Sequence, residues 1–160
     1  MFENCQNRIL SMASVHEQMY QSENLMEIPI DKHLLSLVTD LIKDYNIDTE
    51  IEPVINVESI DMGIKTLIPL GLIINEIVSN AIKHAFINRK KGILTISLRR
   101  IDEIRFELTI KDDGVGYQDS NSQGLGLELI EIFTQQLDAS IEKRIKNGTF
   151  YKIIFKDQDK

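Results

Sequence analysis

The sequence is poor in the residues that build disulfide, zinc and nucleic-acid sites. Its single cysteine, Cys5, excludes an intrachain disulfide framework, and its three histidines are too scattered for a zinc cluster of the Cys/His type. Its 18 basic residues are outnumbered by 25 acidic ones, giving a formal charge of −7, and no basic stripe with interleaved aromatic residues occurs. We therefore expect no nucleic-acid partner.

Long apolar runs are also lacking. No run approaches the roughly 18–20 residues that cross a bilayer, and the N-terminus has no apolar signal region. This segment is therefore expected to lie in the cytoplasm without direct membrane contact, whether or not a parent protein is membrane-anchored. The residues that are present, 42% hydrophobic and 27% charged over 160 positions, suffice for one globular domain with a short appendage.

The N-terminal segment, from about residue 3 to residue 22, is predicted to be a helix. It contains no glycine or proline, and its apolar residues recur at threes and fours. The apolar stripe is narrow and rich in methionine, which favours a seam between two helices and hence a partner-facing appendage. A first helix folded onto its own domain is the alternative. The stripe consists of Cys5, Ile9, Met12, His16, Met19 and Tyr20.

The rest of the chain alternates helical and strand patterns. Asp31 is placed to cap a helix that ends near Tyr45, and Pro53 marks the following strand as an edge strand, since proline cannot donate to a ladder. Pro69 is expected in the first turn of a long helix. The predicted order is helices over 3–22 and 31–45, a strand over 49–57, a loop over 58–65, a helix over 69–86, an antiparallel hairpin of strands around 94–98 and 106–110, a short helix over 124–137, and a hairpin of 139–145 with 149–155 that turns at Asn147-Gly148.

This order predicts an α+β fold. Helices would cover one face of a mixed, mostly antiparallel sheet, which makes a two-layer α/β sandwich. No internal repeat or low-complexity tract is evident.

The predicted helix over 69–86 has an unusual polar face. Its apolar residues fall in one continuous arc, whereas Glu76, Asn80, Lys83 and His84 lie on the other side within a fan of about 100°. A solvent-exposed helix face normally carries several long charged side chains that could replace one another. This face instead carries one carboxylate, one amide, one ammonium and one imidazole group. It is also flanked by apolar residues at positions 72 and 73, as if covered by another part of the protein. The helix therefore indicates a site, with a core helix and a solvated back as the alternative.

Glycine is concentrated in one loop system. Four of the eight glycines fall between Gly114 and Gly126, and Asp112 stands before them at the end of a hydrophobic strand. A buried carboxylate at a strand end needs hydrogen-bond donors, and the exocyclic amine of adenine is a donor that would satisfy it. Gly124-Leu125-Gly126 precedes a helix, where backbone amides can approach a phosphate.

Three motifs resemble the boxes of one ATPase superfamily. Asn75-Glu-Ile-Val-Ser-Asn-Ala-Ile-Lys-His84 resembles the N box of the GHKL ATPases, Asp112-Asp-Gly-Val-Gly116 the G1 box, and Gly124-Leu-Gly-Leu127 the G2 box. The resemblance implies the Bergerat fold. The residues around the N box are similar to the second HisKA subclass of sensor histidine kinases, which is related to the HWE kinases. Residues 1–24 resemble part of the second helix of that subclass's dimerisation and phosphoacceptor hairpin, leaving 25–160 as the ATP-binding catalytic domain.

The resemblance implies a role for each matching residue in binding ATP and Mg²⁺. Glu76 would orient or deprotonate the attacking group, Asn80 would bind the magnesium ion, and Lys83 would contact phosphate. Asp112 would accept from the adenine amine, and Thr149 would support the same ring edge.

The remaining implied roles concern the walls of the pocket. Gly114 and Gly116 would shape its floor. Gly124, Leu125 and Gly126 form the G2 motif, whose glycines would hinge a short lid of about residues 117–123. No phenylalanine-bearing F box occurs in that lid. His84 is expected at the pocket wall near the ribose or phosphates, with a solvated histidine as the alternative.

The implied reaction is phosphoryl transfer from ATP to a histidine, yet the acceptor is missing. The subclass carries it in a His-Arg-x-Lys-Asn-Asn-Leu type motif, which this chain lacks. His16 is expected to be a seam residue and His33 a surface residue. We therefore expect a catalytic part truncated just after the acceptor helix, which binds Mg-ATP without autophosphorylating. Its expected partners are the missing acceptor helix, a second kinase protomer and a downstream response-regulator receiver domain.

Two other functions fit the same motifs. An anti-sigma-type protein serine kinase uses the same nucleotide fold without a phosphoacceptor hairpin. A nucleotide-sensing pseudokinase would bind without catalysis.

Overall fold

The computed structural model describes residues 28–45, 47–116 and 125–159, together with Ala13. The helix predicted over 3–22 and the lid predicted over 117–123 lie outside the described residues, apart from Ala13. The elements are β1 (Ile28–Pro29), α1 (Ile30–Asp44), β2 (Glu50–Val57), β3 (Asp61–Met62), α2 (Ile64–Asn80), a π-helical turn (Ala81–Ala85), β4 (Lys91–Arg100), β5 (Arg105–Asp112), α3 (Leu125–Gln136), β6 (Ser140–Ile145) and β7 (Thr149–Lys156).

The main sheet has five strands in the order β2-β4-β5-β7-β6. β2 pairs with β4 in parallel, and the other neighbours are antiparallel. The predicted α+β sandwich is confirmed, as are both hairpins and the edge position of the strand that contains Pro53. A short antiparallel ladder of β1 with β3 was not predicted. Its strands have two residues each, too few to produce a pattern.

Alternation along the central strands separates the two faces of the sheet. On β4, Leu94, Ile96 and Leu98 are buried, whereas Arg99 is exposed. The apolar residues of β5 and β7 extend this buried face, and the helices pack against it. On the opposite face Glu107 pairs with Arg99, Nη2 to Oε1 at 2.7 Å.

Helix α2 is the centre of the core. Together with the π turn it is a helix of 22 residues, which by length and mean composition alone could cross a membrane although polar residues interrupt it. Of its most apolar part, 78% is buried inside the fold. Leu72 and Ile73, which flank the polar face, are both buried, and so is Glu76, whereas Asn80, Lys83 and His84 are half-buried. The helix is therefore a core element.

The start of α2 differs from the prediction. It begins at Ile64, within the segment predicted as a loop, and Pro69 lies inside it. Gly63 provides no side-chain cap, but Asp159 supplies one from the far end of the chain, since its Oδ2 accepts from the Thr66 backbone N–H at 3.1 Å. The extra turn thus depends on a contact between residues 93 positions apart, which local sequence does not reveal.

The start of α1 also differs. Asp31 is not the N-cap: Pro29 occupies that position, and Asp31 lies in the first turn. His33, predicted to be at the surface, is buried. Burial lowers the pKa of the His33 imidazole below its ordinary 6.5, because the charged form loses its hydration.

His33 should therefore make stability pH-dependent. Since the folded-state pKa is the lower one, the unfolded chain binds more protons between the two values. Stability should be complete above about pH 6.5, fall as the pH is lowered towards the folded-state pKa, and level off below it. Each unit of lowering is worth about 1.4 kcal/mol.

Urea unfolding between pH 5 and 8 at constant ionic strength measures this effect. In His33→Gln, whose side chain does not titrate, the free energy of unfolding should fall less between pH 8 and pH 5 than in the wild type. Subtracting the two curves separates the contribution of His33 from that of the carboxylates. Parallel curves for the two proteins would contradict the assignment.

Candidate functional site

Asp112 is the buried acid at the centre of the candidate site. It ends β5 and is 4% exposed. Its Oδ1 accepts hydrogen bonds from the backbone N–H groups of Gly114, at 2.9 Å, and of Thr149, at 3.1 Å. A buried carboxylate is tolerated only with such donors. Three residues selected from the sequence are thus joined by one oxygen atom.

The loop after β5 lies against the end of the long helix. The Val115 N–H donates to the Ala85 carbonyl at 2.9 Å, and a Cβ atom at Gly114 would collide with that carbonyl. Gly116 has a φ of +75° and lies beside Ile145. The G1 motif therefore connects the strand that ends in Asp112 to the C-terminal end of the N-box helix.

Gly148 is a site residue that the functional assignment missed. Its φ is +109°, and a Cβ atom there would collide with the Asp112 carbonyl. The turn itself was predicted from Asn147-Gly148, and its position directly before Thr149 was the available signal. The glycine is needed both for the turn and for the close approach to the acid.

The polar residues of the helix lie along its buried and half-buried length. Glu76 is 1% exposed, and Asn80, one turn later, is partly exposed. Lys83 and His84 follow on the π turn and are half-buried. A π turn contains an extra residue relative to an α-helix and often occurs at functional sites. The even 100° spacing assumed from the sequence therefore does not extend to these two residues.

Lys83 has a defined neighbour in the structure. Its Nζ lies 5.0 Å from the centroid of the Tyr45 ring, at the C-terminal end of α1. This is a cation–π contact, and it places the ammonium group next to the helix end.

The G2 motif is at the start of α3. Leu125 is the first residue of that helix, and Gly126 follows it and is buried. Gly124 lies outside the described residues. Because α2 and α3 pack against each other, the G2 motif is carried on a neighbour of the N-box helix.

No cluster of three or more His, Cys, Asp or Glu side chains suited to hold a metal ion occurs among the residues that the structure describes.

Two family models match the chain. One, described as histidine kinase-, DNA gyrase B-, and HSP90-like ATPase, matches residues 66–159, and one described as histidine kinase, the HisKA_2 model, matches residues 1–45. The first spans more than half of the chain, which therefore belongs to the histidine kinase-, DNA gyrase B- and HSP90-like ATPase family. Together the two matches identify it as the ATP-binding catalytic domain of a sensor histidine kinase of the second HisKA subclass.

Curated relatives include two kinases and an anti-sigma factor. The chain is 26% identical over 104 residues to the blue-light-activated histidine kinase 2 of Erythrobacter litoralis, covering 62% of this chain and 30% of that protein. It is 30% identical over 145 residues to the sensor histidine kinase PdtaS of Mycolicibacterium smegmatis, covering 84% and 28%. It is 27% identical over 107 residues to the anti-sigma F factor of Geobacillus kaustophilus, covering 58% and 71%. This chain therefore spans less than a third of either kinase.

Solved structures show the same fold. The histidine kinase domain of the Erythrobacter litoralis EL346 blue-light activated histidine kinase aligns with a TM-score of 0.80 at 20% identity, covering 95% of this chain and 74% of that one. The histidine kinase AdeS of Acinetobacter baumannii aligns with a TM-score of 0.68 at 16% identity, covering 98% and 78%.

The structure predicts that Gly148→Ala will disturb Asp112. The new methyl group meets the Asp112 carbonyl, and the left-handed backbone adds strain of about 1–2 kcal/mol. We expect a lower Tm and weaker ATP binding, measured by thermal unfolding and calorimetric titration. Asn147→Ala is the matched control, because residue 147 also has a positive φ, of 52°, but is exposed. Equal ATP affinity in both variants would show that Gly148 serves the turn alone.

Proposed function

We propose that this domain binds Mg-ATP and transfers the γ-phosphoryl group to a histidine on a hairpin helix. The observation that supports this proposal is the state of Asp112, a buried carboxylate that accepts from two backbone N–H groups between two glycine-containing loops. The division into 1–24 and 25–160 belongs to this proposal, with the first part contributing to the hairpin.

Adenine recognition follows from the chemistry of that carboxylate. Oδ1 is held by Gly114 and Thr149, and we assign to Oδ2 the hydrogen bond from the exocyclic amine. An ionised carboxylate accepts but cannot donate, which favours an amine over a carbonyl at this ring position. We assign Gly116, Gly148 and Thr149 to the same edge of the base. This is supported by the close approach of Gly148 to the Asp112 carbonyl and by the bond from the Thr149 N–H to Asp112.

We assign binding of the triphosphate to the polar face of α2, to the π turn that follows it and to the start of α3. Asn80 would hold Mg²⁺ through its amide oxygen, and the ion would supply charge neutralisation at the phosphates. This suits a region without an acidic or histidine cluster among the described residues. Lys83 and His84 would supply positive or hydrogen-bonding groups. We also assign to the phosphates the backbone amides of Leu125 and Gly126, which lie in the first turn of α3, because a helix N-terminus favours an anion.

Glu76 would act on the attacking imidazole. ATP supplies the phosphoryl group, the imidazole nitrogen forms a bond to the γ-phosphorus as the bond to the bridging oxygen breaks, and ADP leaves. Glu76 orients the imidazole and takes its proton. Such reactions depend mostly on positioning and charge neutralisation.

The partners in this proposal are the acceptor helix, a second kinase protomer and a response-regulator receiver domain. The composition and the buried position of the apolar helix are consistent with a cytoplasmic location. The likeness to anti-sigma F factors supports a second candidate, protein serine kinase activity on the same fold.

Asp112→Asn should weaken Mg-ATP binding by about tenfold or more. It replaces a charged acceptor with a neutral amide, and a hydrogen bond to a charged group contributes about 1.5–3 kcal/mol. Calorimetric titration with Mg-ATP measures the loss, and circular dichroism monitors folding. Asp138→Asn, at an exposed acid that pairs with Lys156, is the control and should bind normally. Wild-type affinity in Asp112→Asn would exclude the adenine contact.

The chain alone should form no stable phosphohistidine, because its 160 residues lack the acceptor motif. Incubation with labelled ATP should label a separately supplied acceptor hairpin of the second HisKA subclass, on histidine. The phosphate bond distinguishes the candidates: acid-labile, base-stable label indicates histidine, whereas acid-stable label on a serine substrate indicates the anti-sigma type. Mg-ATP binding without transfer to either would favour the nucleotide-sensing pseudokinase, and label on this chain itself would refute its dependence on an external acceptor.

A further inference from the structure

We infer that Arg89 is a positioning residue that aims the Asp112 carboxylate at the adenine amine, through its grip on Asp113. This inference rests on the proposed nucleotide function and adds a residue outside the three sequence motifs. Arg89 lies four residues beyond the π turn, and Asp113 directly follows Asp112.

Arg89 holds Asp113 at two points. One guanidinium nitrogen, Nη1, donates to the Asp113 backbone carbonyl, and the other, Nη2, donates to the carboxylate oxygen Oδ2 at 3.1 Å. Because the planar guanidinium group contacts both the side chain and the backbone of Asp113, it fixes the orientation of that residue as well as its distance from Arg89.

The other polar groups of Asp113 are bound to β4. Its Oδ1 accepts from the Ile93 N–H at 2.8 Å, and its own N–H donates to the Ile93 carbonyl at 3.2 Å. Residue 113 is thus held by the sheet on one side and by Arg89 on the other. Ile93 holds the N–H of the peptide between residues 112 and 113, and Arg89 holds the carbonyl of the peptide between residues 113 and 114. The backbone that directly follows Asp112 is therefore fixed at both of these peptides.

Arg89 is itself anchored to two elements. Its carbonyl accepts from the Thr49 hydroxyl at 2.8 Å, just before β2, and its N–H donates to the Phe86 carbonyl at 3.1 Å, at the end of the helix. A bond network therefore runs from the start of β2 and the helix end, through Arg89, to the residue after the adenine-binding acid.

In this arrangement Arg89 affects the orientation of the Asp112 carboxylate more than the stability of the fold. The Arg89 and Asp113 side chains are 35% and 39% exposed, and ion pairs of such exposure contribute little to folding. The Asp112 carboxylate, in contrast, must meet the amine within a few tenths of an ångström to keep its hydrogen bond. Loss of Arg89 should therefore be expressed in base recognition and hardly in thermal unfolding.

Two nucleotides test the role of Arg89 on the full chain. One is Mg-ATP, and the other is the triphosphate of purine riboside, in which a hydrogen atom replaces the exocyclic amine. In Arg89→Met, ATP affinity should fall about tenfold, the loss expected when a charge-assisted hydrogen bond is weakened. Affinity for the purine riboside triphosphate and the Tm should stay at the wild-type values. Arg89→Lys, which keeps the charge without the fork, should recover part of the preference for ATP.

Arg105→Met is the matched control. It removes an ion pair with Asp102 whose side chains are 53% and 39% exposed. Arg105 begins β5, about 24 Å along the strand from Asp112 at about 3.4 Å per residue, so both affinities should stay unchanged. Equal losses for both nucleotides in Arg89→Met, or no loss, would overturn the inference while leaving the proposed function intact. If Asp112→Asn itself bound both nucleotides as the wild type does, the proposed function would fail, and the inference with it.

Discussion

One oxygen atom constrains the geometry of the candidate site. Asp112 Oδ1 accepts from Gly114 and from Thr149, so it joins the end of β5 to the loop that follows and to the first residue of β7. A buried carboxylate without such donors would cost several kcal/mol. The two bonds in turn require close backbone approach, which only glycine permits at positions 114 and 148.

The features predicted correctly from the sequence are those whose causes are local. Asn147-Gly148 specifies a tight hairpin by its own backbone preferences, and both residues have positive φ. Pro53 forces an edge position because it lacks a donor, and β2 is at the edge. For Asp112 the sequence predicted only that a strand-end acid needs donors; the bond from Gly114 is local, whereas the bond from Thr149, 37 positions away, was not predicted.

The features that were missed depend on residues far apart in the chain. The first turn of α2 is capped by Asp159, 93 positions after Thr66, so Pro69 was wrongly placed at the helix start. His33 is buried by tertiary packing although its sequence neighbours include a lysine and an aspartate. The widened turn at residues 81–85 likewise has no local sequence signal, since the segment has an ordinary helical pattern.

The widened turn matters for how Lys83 can serve a phosphate. Its ammonium group lies over the Tyr45 ring, a contact worth about 0.5–2 kcal/mol. A triphosphate carries several negative charges, and a single pair at 4 Å near a protein surface already gives about 4 kcal/mol of Coulomb energy. In the proposed phosphate role of Lys83, this attraction exceeds the cation–π contact before the hydration that both charged groups lose is subtracted. Since Tyr45 ends α1, the proposed phosphate role of Lys83 also relates nucleotide binding to the helix that precedes the sheet.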